Sequence, residues 1–319
     1  MADHCIAFWN LENLFDVVDS PRRTDKLQRT LAGELTGWTQ SVLDKKVSQL
    51  ASIIAQMNSG QGPDLLGVCE IENEHVLGLL AAALASVRTY SIAHFDTKDE
   101  RGIDVAFLYD PNVFTAQEKF SHFIVKRTAT RDILQVNFQT SSGKLLVVVC
   151  NHWPSRSAGQ YESEPYRMIA AETLAYFHER IRQVQGNQVA VVAMGDFNDE
   201  PFNRAIEEYA QSEHDAVRAS NAQKPVFFNL MWPMLAKGAG THYYNNTANV
   251  LDQFLVSKGI LTGTSGFEVV DGSVEIFKRP EMVKPGEYGV PIRFREKTGV
   301  FNQNGFSDHF PVVFRLRES

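Results

Sequence analysis

Carboxylates, asparagine amides and imidazoles recur in this chain where apolar runs end. The run at residues 6–9 leads into Asn10, Leu11, Glu12 and Asn13, and the run at 65–69 ends in Glu70, with Glu72 and Glu74 behind it. Residues 145–150 lead into Asn151, His152 and Trp153, and residues 189–194 into Gly195, Asp196, Phe197, Asn198 and Asp199. Asp252 stands just before the run at 254–256, and Ser307, Asp308 and His309 precede residues 310–314. If these runs lie side by side, their ends bring acids, amides and two imidazoles to one edge, where open α/β sheets build sites. Oxygen and amide donors of this kind suit Mg²⁺ or Mn²⁺ better than zinc. Without an ion, several carboxylates at one spot would repel and raise one another's pKa. An imidazole titrates near neutrality, so His152 or His309 can give a hydrogen bond or a proton to a phosphoryl oxygen. A carboxylate beside it, Asp104 or Asp252, would fix its tautomer and favour its charged form. The combined chemistry is metal-assisted attack of water on a phosphate ester.

The elements that must position these groups read as alternating strands and helices. Continuous apolar runs at residues 6–9, 65–69, 105–109, 145–150, 189–194 and 254–256 suit strands buried on both faces. Residues 41–57 repeat apolar positions at helical spacing through Leu43, Val47, Leu50, Ile54 and Met57. A second helix is expected over 163–184, capped by Ser163, with Pro165 in its first turn and Ile169, Leu174, Phe177, Ile181 and Val184 inward. Further helices are expected over 75–85 and 201–209, the latter capped by Asp199; Glu72 and Glu74 read as acids of a helical first turn. No linker, repeat or low-complexity tract interrupts the alternation, so residues 1–319 read as one domain. Two long loop-like segments, 16–39 and 271–305, are candidates for substrate contact.

Taken together, the polar segments resemble the endonuclease/exonuclease/phosphatase superfamily, which includes pancreatic-type deoxyribonucleases, apurinic endonucleases, neutral sphingomyelinases and inositol-polyphosphate 5-phosphatases. The matching pieces are Trp9-Asn10-Leu11-Glu12-Asn13, the Glu70 of Val68-Cys69-Glu70-Ile71-Glu72-Asn73, Asn151-His152-Trp153-Pro154-Ser155-Arg156, Gly195-Asp196-Phe197-Asn198-Asp199, Leu251-Asp252-Gln253-Phe254 and Ser307-Asp308-His309-Phe310-Pro311-Val312. Each alone is a weak signal; six in the family's order, spanning nearly the whole chain, are a strong one. The resemblance implies an α/β fold, a four-layered α/β sandwich with two central mixed β-sheets flanked by helices. It implies that Glu70 holds the metal with Asn10, Asp308 and Glu12. It implies that Asp196 orients or activates water, Asn198 positions phosphate and water, and His309 stabilises charge with Asp252 as partner. His152 would contact the phosphate or protonate the leaving oxygen, with Asp104 orienting it.

Other residues are weighed against plainer roles. Arg156 and Arg167 can clamp an anionic group, and Asn151 and His242 are candidates for substrate contact. His242 lies in the polar aromatic loop 240–244; His4, His75, His94, His122, His178 and His214 read as structural. Six basic residues (Lys278, Arg279, Lys284, Arg293, Arg295, Lys297) outnumber the acids Glu281, Glu287 and Glu296 over 278–297. That strip could guide a polyanion, but ordinary surface is the better reading.

Composition bounds the rest. With 44% hydrophobic and 22% charged residues, a disordered or collagenous chain is excluded. A net charge of −7 and a pI near 5.7 argue against coating nucleic acid or membrane by bulk charge. No apolar stretch is long enough to span a membrane, and no protein partner is readable. Cys5, Cys69 and Cys150 lie in apolar runs and read as buried thiols, not as a disulfide framework. Free thiols and the lack of a visible signal peptide favour cytoplasm; a trimmed leader would mean secretion. The sequence thus points to a Mg²⁺- or Mn²⁺-dependent hydrolase of a phosphate ester, with nucleic acid the leading substrate as a phosphodiester. The alternatives are a phosphatase or phosphodiesterase of a small or lipid-derived phosphate, or a non-catalytic scaffold on the same fold.

Overall fold

The computed structural model describes residues 2–319 apart from Glu287 and Lys297, so those two members of the 278–297 strip lie outside the described residues. In chain order the strands begin β1 (Ala2–Leu14), β2 (Leu65–Ile71), β3 (Ser91–His94), β4 (Asp104–Tyr109), β5 (Phe114–His122), β6 (Ile133–Thr140), β7 (Leu145–His152) and β8 (Ala190–Asp196). They continue β9 (Ser212–Glu213), β10 (Phe227–Asn229), β11 (His242–Tyr244), β12 (Thr247–Asn249), β13 (Asp252–Ser257), β14 (Phe267–Val269), β15 (Glu275–Ile276) and β16 (Val312–Glu318). One sheet runs β14-β16-β1-β2-β4-β3 with β15 on β16; the other runs β5-β6-β7-β8-β13-β10-β9; β11 and β12 form a hairpin. Both sheets are mixed: β1–β2, β7–β8 and β9–β10 are parallel pairs among antiparallel ones.

Strand periodicity explains why the apolar runs are continuous. Ile6, Phe8, Cys69, Cys150, Val192, Phe254 and Phe314 meet between the two sheets. Their neighbours Ala7, Trp9, Leu66 and Val68 point the other way, under helices Gln40–Ile54 and Glu74–Ala83. On the second sheet Val147, Val149, Val191 and Leu255 face Ala170, Leu174 and Ile181 of the helix Gln160–Gln185. Alternate residues therefore enter different cores, and each large one buried contributes about 2 kcal/mol. The result is the expected helix–sheet–sheet–helix sandwich. The three thiols are buried and unpaired.

Several local expectations need correction. The first long helix starts at Gln40, capped by the Thr39 hydroxyl, and ends before Met57 because Asn58 and Ser59 turn left-handed. The long helix begins at Gln160 behind Gly159, so Ser163 is not its cap; the Ser163 hydroxyl instead donates to Gly159 O at 2.6 Å. Its buried face is Ala170, Ala171, Leu174, His178 and Ile181, which leaves Ile169 and Val184 exposed. The expected 201–209 helix is only a five-residue π-turn, Ala205–Tyr209. Both long loops contain short structure, the helix Asp25–Leu31 in the first and β15 with the 3₁₀ turn Pro280–Met282 in the second.

Candidate active site

Register places the polar groups. In the parallel pair β7–β8, His152 stands opposite Asp196, and in the antiparallel pair β8–β13 Asp196 stands opposite Asp252. Three strand ends thus put His152, Asp196 and Asp252 in a row. Gly195 permits this, since a Cβ there would sit 2.3 Å from Asn151 O. Across the sandwich β1 and β2 are parallel with Asn10 opposite Cys69, which brings Asn10 beside Glu70. The register of β2 against β4 shifts between Cys69 and Ile71, and Glu70 takes a left-handed φ of 61°. A bulge of this kind re-aims one side chain, here into the gap between the sheets. The segment carrying Asp308 and His309 is tied to β1 by the Ser307 hydroxyl donating to Asn10 O at 2.7 Å and the Trp9 indole donating to His309 O at 2.8 Å.

The groups then converge. Glu70 Oε2 accepts from Asn13 N at 3.0 Å while Oε1 lies 3.7 Å from His152 Nε2. His152 Nε2 and His309 Nε2 stand 3.9 and 3.8 Å from Asp196 Oδ2, which also accepts from the Asn10 amide at 3.1 Å. Asp196 Oδ1 accepts from Asn198 N at 2.9 Å. His309 Nδ1 bonds Asp252 Oδ2 at 2.7 Å, and Asp308 pairs with Arg293.

Environment drives the two imidazoles apart. Burial, reinforced by Arg131, Arg101 and His309, holds His152 well below the ordinary imidazole value. Burial also opposes a charge on His309, but Asp252 and Asp196 outweigh it and hold His309 well above that value. Burial pushes the Asp196 carboxyl up to about 7, against the pull of His309. Asp308 is buried too, yet His309, His242 and Arg293 keep its carboxyl below the usual range. One site therefore offers a neutral imidazole, an imidazolium and a carboxylate of raised pKa, a division of acid and base roles that arises from environment.

Several expected site residues have other partners. Asp104 does not orient His152: it bonds His94 at 3.1 Å and the Thr97 backbone N–H at 3.1 Å. His152 Nδ1 is buried with no partner among the described residues. Glu12 does not face the metal position, because its oxygens accept from Phe294 N at 2.7 Å and Arg295 N at 3.1 Å. Arg167 is fully buried and pairs with Asp199 at 2.8 Å, so it is no substrate clamp, and Asp199 is no helix cap. Asn151 is also inward, its amide donating to Met194 O at 3.2 Å and its oxygen accepting from Trp153 Nε1 at 3.1 Å. Arg156 stays at the rim but is spent on Asn198 O at 2.6 Å, Asp199 at 3.0 Å and Asn203 at 2.8 Å. Glu72 is not in a helical turn; it accepts from Asp16 N and pairs with Arg23, both in the 16–39 segment. His242 does reach the site, its ring 4.7 Å from that of His309.

Comparison with known proteins fits this arrangement. The model of the Endonuclease/Exonuclease/phosphatase family matches residues 5–318. The chain belongs to that family. Members of the family are hydrolases of phosphate esters and are typically dependent on a divalent metal. Comparison with curated proteins finds no match. Among solved structures, an endonuclease/exonuclease/phosphatase family protein from Bacteroides thetaiotaomicron aligns with a TM-score of 0.59 at 14% identity, covering 99% of this chain and 98% of that one. The human Nocturnin catalytic domain aligns at 0.55 and 14%, covering 99% and 95%. A mannosyl-6-phosphatase from Bacteroides thetaiotaomicron aligns at 0.57 and 14%, covering 98% and 99%. At such identities these likenesses show the fold alone. No helix among the described residues is long and apolar enough to cross a membrane.

The donor types present are those a divalent ion takes. Glu70 Oε1 lies 3.7 Å from His152 Nε2, the Asn10 amide oxygen accepts from Glu12 N at 3.0 Å, and Asp308 is paired with Arg293, so the oxygen donors of these three are the hard type such an ion takes. Donor atoms of Asp196, Asp252 and His309 also lie within 4.8 Å of one another. Their close His309–Asp252 bond makes that group an oriented imidazolium rather than an ion cage. The sequence reading passed over Arg293 as a site residue, and it missed Asn13 and Arg131. Arg131 donates to Trp153 O at 3.2 Å and to Asp99 at 3.2 Å, steadying the His152 loop. Asn13, next to Glu12 in a quoted motif, could have been found; the long-range partners of the arginines leave no signal in one sequence.

Proposed function

We propose that this family member hydrolyses a phosphate ester with Mg²⁺ or Mn²⁺, and that residues 1–319 form a single catalytic domain. The convergence of Glu70, His152, Asp196 and His309 from distant stretches of chain supports this reading. Glu70, Asp308 and Asn10 are the residues that would hold the ion. When bound, it would polarise the phosphoryl oxygen and ease deprotonation of water. Asp196 orients the attacking water and takes its proton, a role suited to a carboxyl raised towards neutrality. Asn198 steadies the phosphate. His309, kept charged by Asp252, stabilises the negative charge that develops on the phosphoryl oxygens. His152, kept neutral, accepts or donates one hydrogen bond at the phosphate or the leaving oxygen.

The geometry favours a small ester over a polynucleotide. On the 278–297 strip, Lys278 lies over the Tyr243 and Phe310 rings, Arg279 over Phe277, and Arg293 on Asp308, while Arg295 reaches Gly33 O. These four cations are engaged with the protein rather than set out for a chain of phosphates, while Lys284 is exposed. Nuclease action remains the alternative reading.

Turnover of 4-nitrophenyl phosphate and bis(4-nitrophenyl) phosphate, with and without EDTA, tests the proposal, with DNA and RNA in the same panel. Glu70→Ala and His309→Ala are expected to stay folded by circular dichroism and to lose activity by a factor on the order of a hundred or more. Mg²⁺ is expected to raise the melting temperature of the parent but not of Glu70→Ala. Near-parental rates in both variants would reject the assignment. Silence of the parent on every substrate, with and without metal, would favour the scaffold.

A further inference from the structure

Next to the converged groups, a cleft of about 760 Å³ opens between the Ser155–Gln160 stretch and the β11–β12 hairpin. It shares Asn198 and His242 with the site, so whatever is esterified to a phosphate held there extends into it. Its walls mix polar groups with the apolar surface of Tyr244 and Leu251. Gln160, Asn245, Thr247 and Asn249 present amides and a hydroxyl. The Arg156 guanidinium donates to Asn198, Asp199 and Asn203. The Glu200 carboxylate is partly buried, and burial pushes its pKa up. Tyr244 is 66% exposed and stands on the hairpin, whose turn residues Asn245 and Asn246 both adopt positive φ (48° and 65°). A turn of that type holds its two strands in one register, so the ring is carried on a fixed support. His242 Nδ1 is buried without a hydrogen-bond partner among the described residues.

We propose that this cleft binds the alcohol half of the substrate and that this half is a neutral, hydroxyl-rich ring, a sugar or cyclic polyol. The inference rests on the phosphoesterase reading and narrows it. Hydroxyls both donate and accept, which matches walls built of amides and hydroxyls that do the same. An exposed aromatic face covers the C–H side of such a ring. Among the described lining residues the cation is Arg156, whose donors already serve Asn198, Asp199 and Asn203, so a second phosphate would have to displace those bonds, which disfavours a polynucleotide or a nucleoside polyphosphate there. A single nucleobase could also stack on Tyr244, and the assay therefore includes one.

The full chain with Mg²⁺ or Mn²⁺ is assayed for kcat/KM on glucose 6-phosphate, inositol 1-phosphate, thymidine monophosphate, single-stranded DNA and 4-nitrophenyl phosphate. A sugar or inositol ester is expected to exceed the aryl ester by about tenfold or more. In Tyr244→Ala and Thr247→Val the ratio of sugar-ester to aryl-ester kcat/KM is expected to fall about tenfold, chiefly through KM of the sugar ester. Both positions are at the rim, so folding is checked by the melting temperature. Preference for DNA or the nucleotide, or a ratio unmoved in both variants, overturns the inference while leaving the phosphoesterase reading intact. Absence of metal-dependent turnover on the aryl ester removes that reading first, and this inference with it.

Discussion

His152 and His309 both lie near Asp196 and are both buried, yet they hold opposite protonation states. The difference is one carboxylate. Asp252 bonds His309 at 2.7 Å, whereas His152 Nδ1 has no partner among the described residues and Arg131 and Arg101 press on its charge. On the proposed mechanism Asp252 acts through the imidazole it bonds, as a positioning residue. Asp252→Asn should therefore lower the His309 pKa, since loss of an adjacent opposite charge shifts a group by about 1–3 units. The imidazolium would be lost at lower pH, so the alkaline limb of the kcat/KM profile should move down by about a unit or more. A pH–rate profile measured on the aryl ester checks this. An alkaline limb that stays in place would mean that His309 is not the group whose charge is needed.

Secondary elements explain why Glu12 misled a reading that relied on its place in a motif. The carboxylate sits where β1 loses register with β2 and φ turns left-handed at Glu12 and Asn13. That turn swings it away from Glu70 and onto the backbone of Phe294 and Arg295, with Lys46 buried nearby and bonded to Phe306 O at 2.6 Å. Burial pushes Glu12 up to about 8 and Lys46 down to about 8, so the pair holds the 293–308 segment, and with it Asp308, by hydrogen bonds more than by charge. Glu12→Ala strands the buried Phe294 N–H and the partly buried Arg295 N–H, each costing about 1–3 kcal/mol. Urea unfolding should register a loss of about 2–5 kcal/mol, and a loss under a tenth of that would show that the segment is held otherwise. The same contrast separates what the chain's letters reveal from what they hide. Strands with two buried faces, such as β2 and β8, announce themselves as unbroken apolar runs. β5 is mostly exposed, and β9 to β12 are two or three residues long, below any readable period. Strand ends are legible because acids and amides stand out there. Pairings across the fold, such as Asp104 with His94 or Arg167 with Asp199, depend on register and on distant helices, and local pattern carries neither.

For the molecule as a whole, acid sensitivity should originate away from the site. His178 lies on the buried face of the long helix, its ring stacked 3.9 Å from that of Phe227, and burial pushes its pKa down to about 3, with Arg182 adding to the effect. In the unfolded chain a histidine titrates near 6.5. Between those values the unfolded state binds a proton that the native state refuses, so stability falls as pH drops. The contribution is complete above about pH 6.5 and drains away at about 1.4 kcal/mol per pH unit below it. His122, also lowered by burial, adds in the same direction. In His178→Gln the slope of unfolding free energy between about pH 6 and about pH 4.5 should flatten by about 1.4 kcal/mol per unit, whatever the variant's stability at neutral pH. Urea titrations at several pH values measure that slope directly. A slope equal to the parent's would place the acid sensitivity in the carboxylates of the cleft, and metal would then be expected to change it.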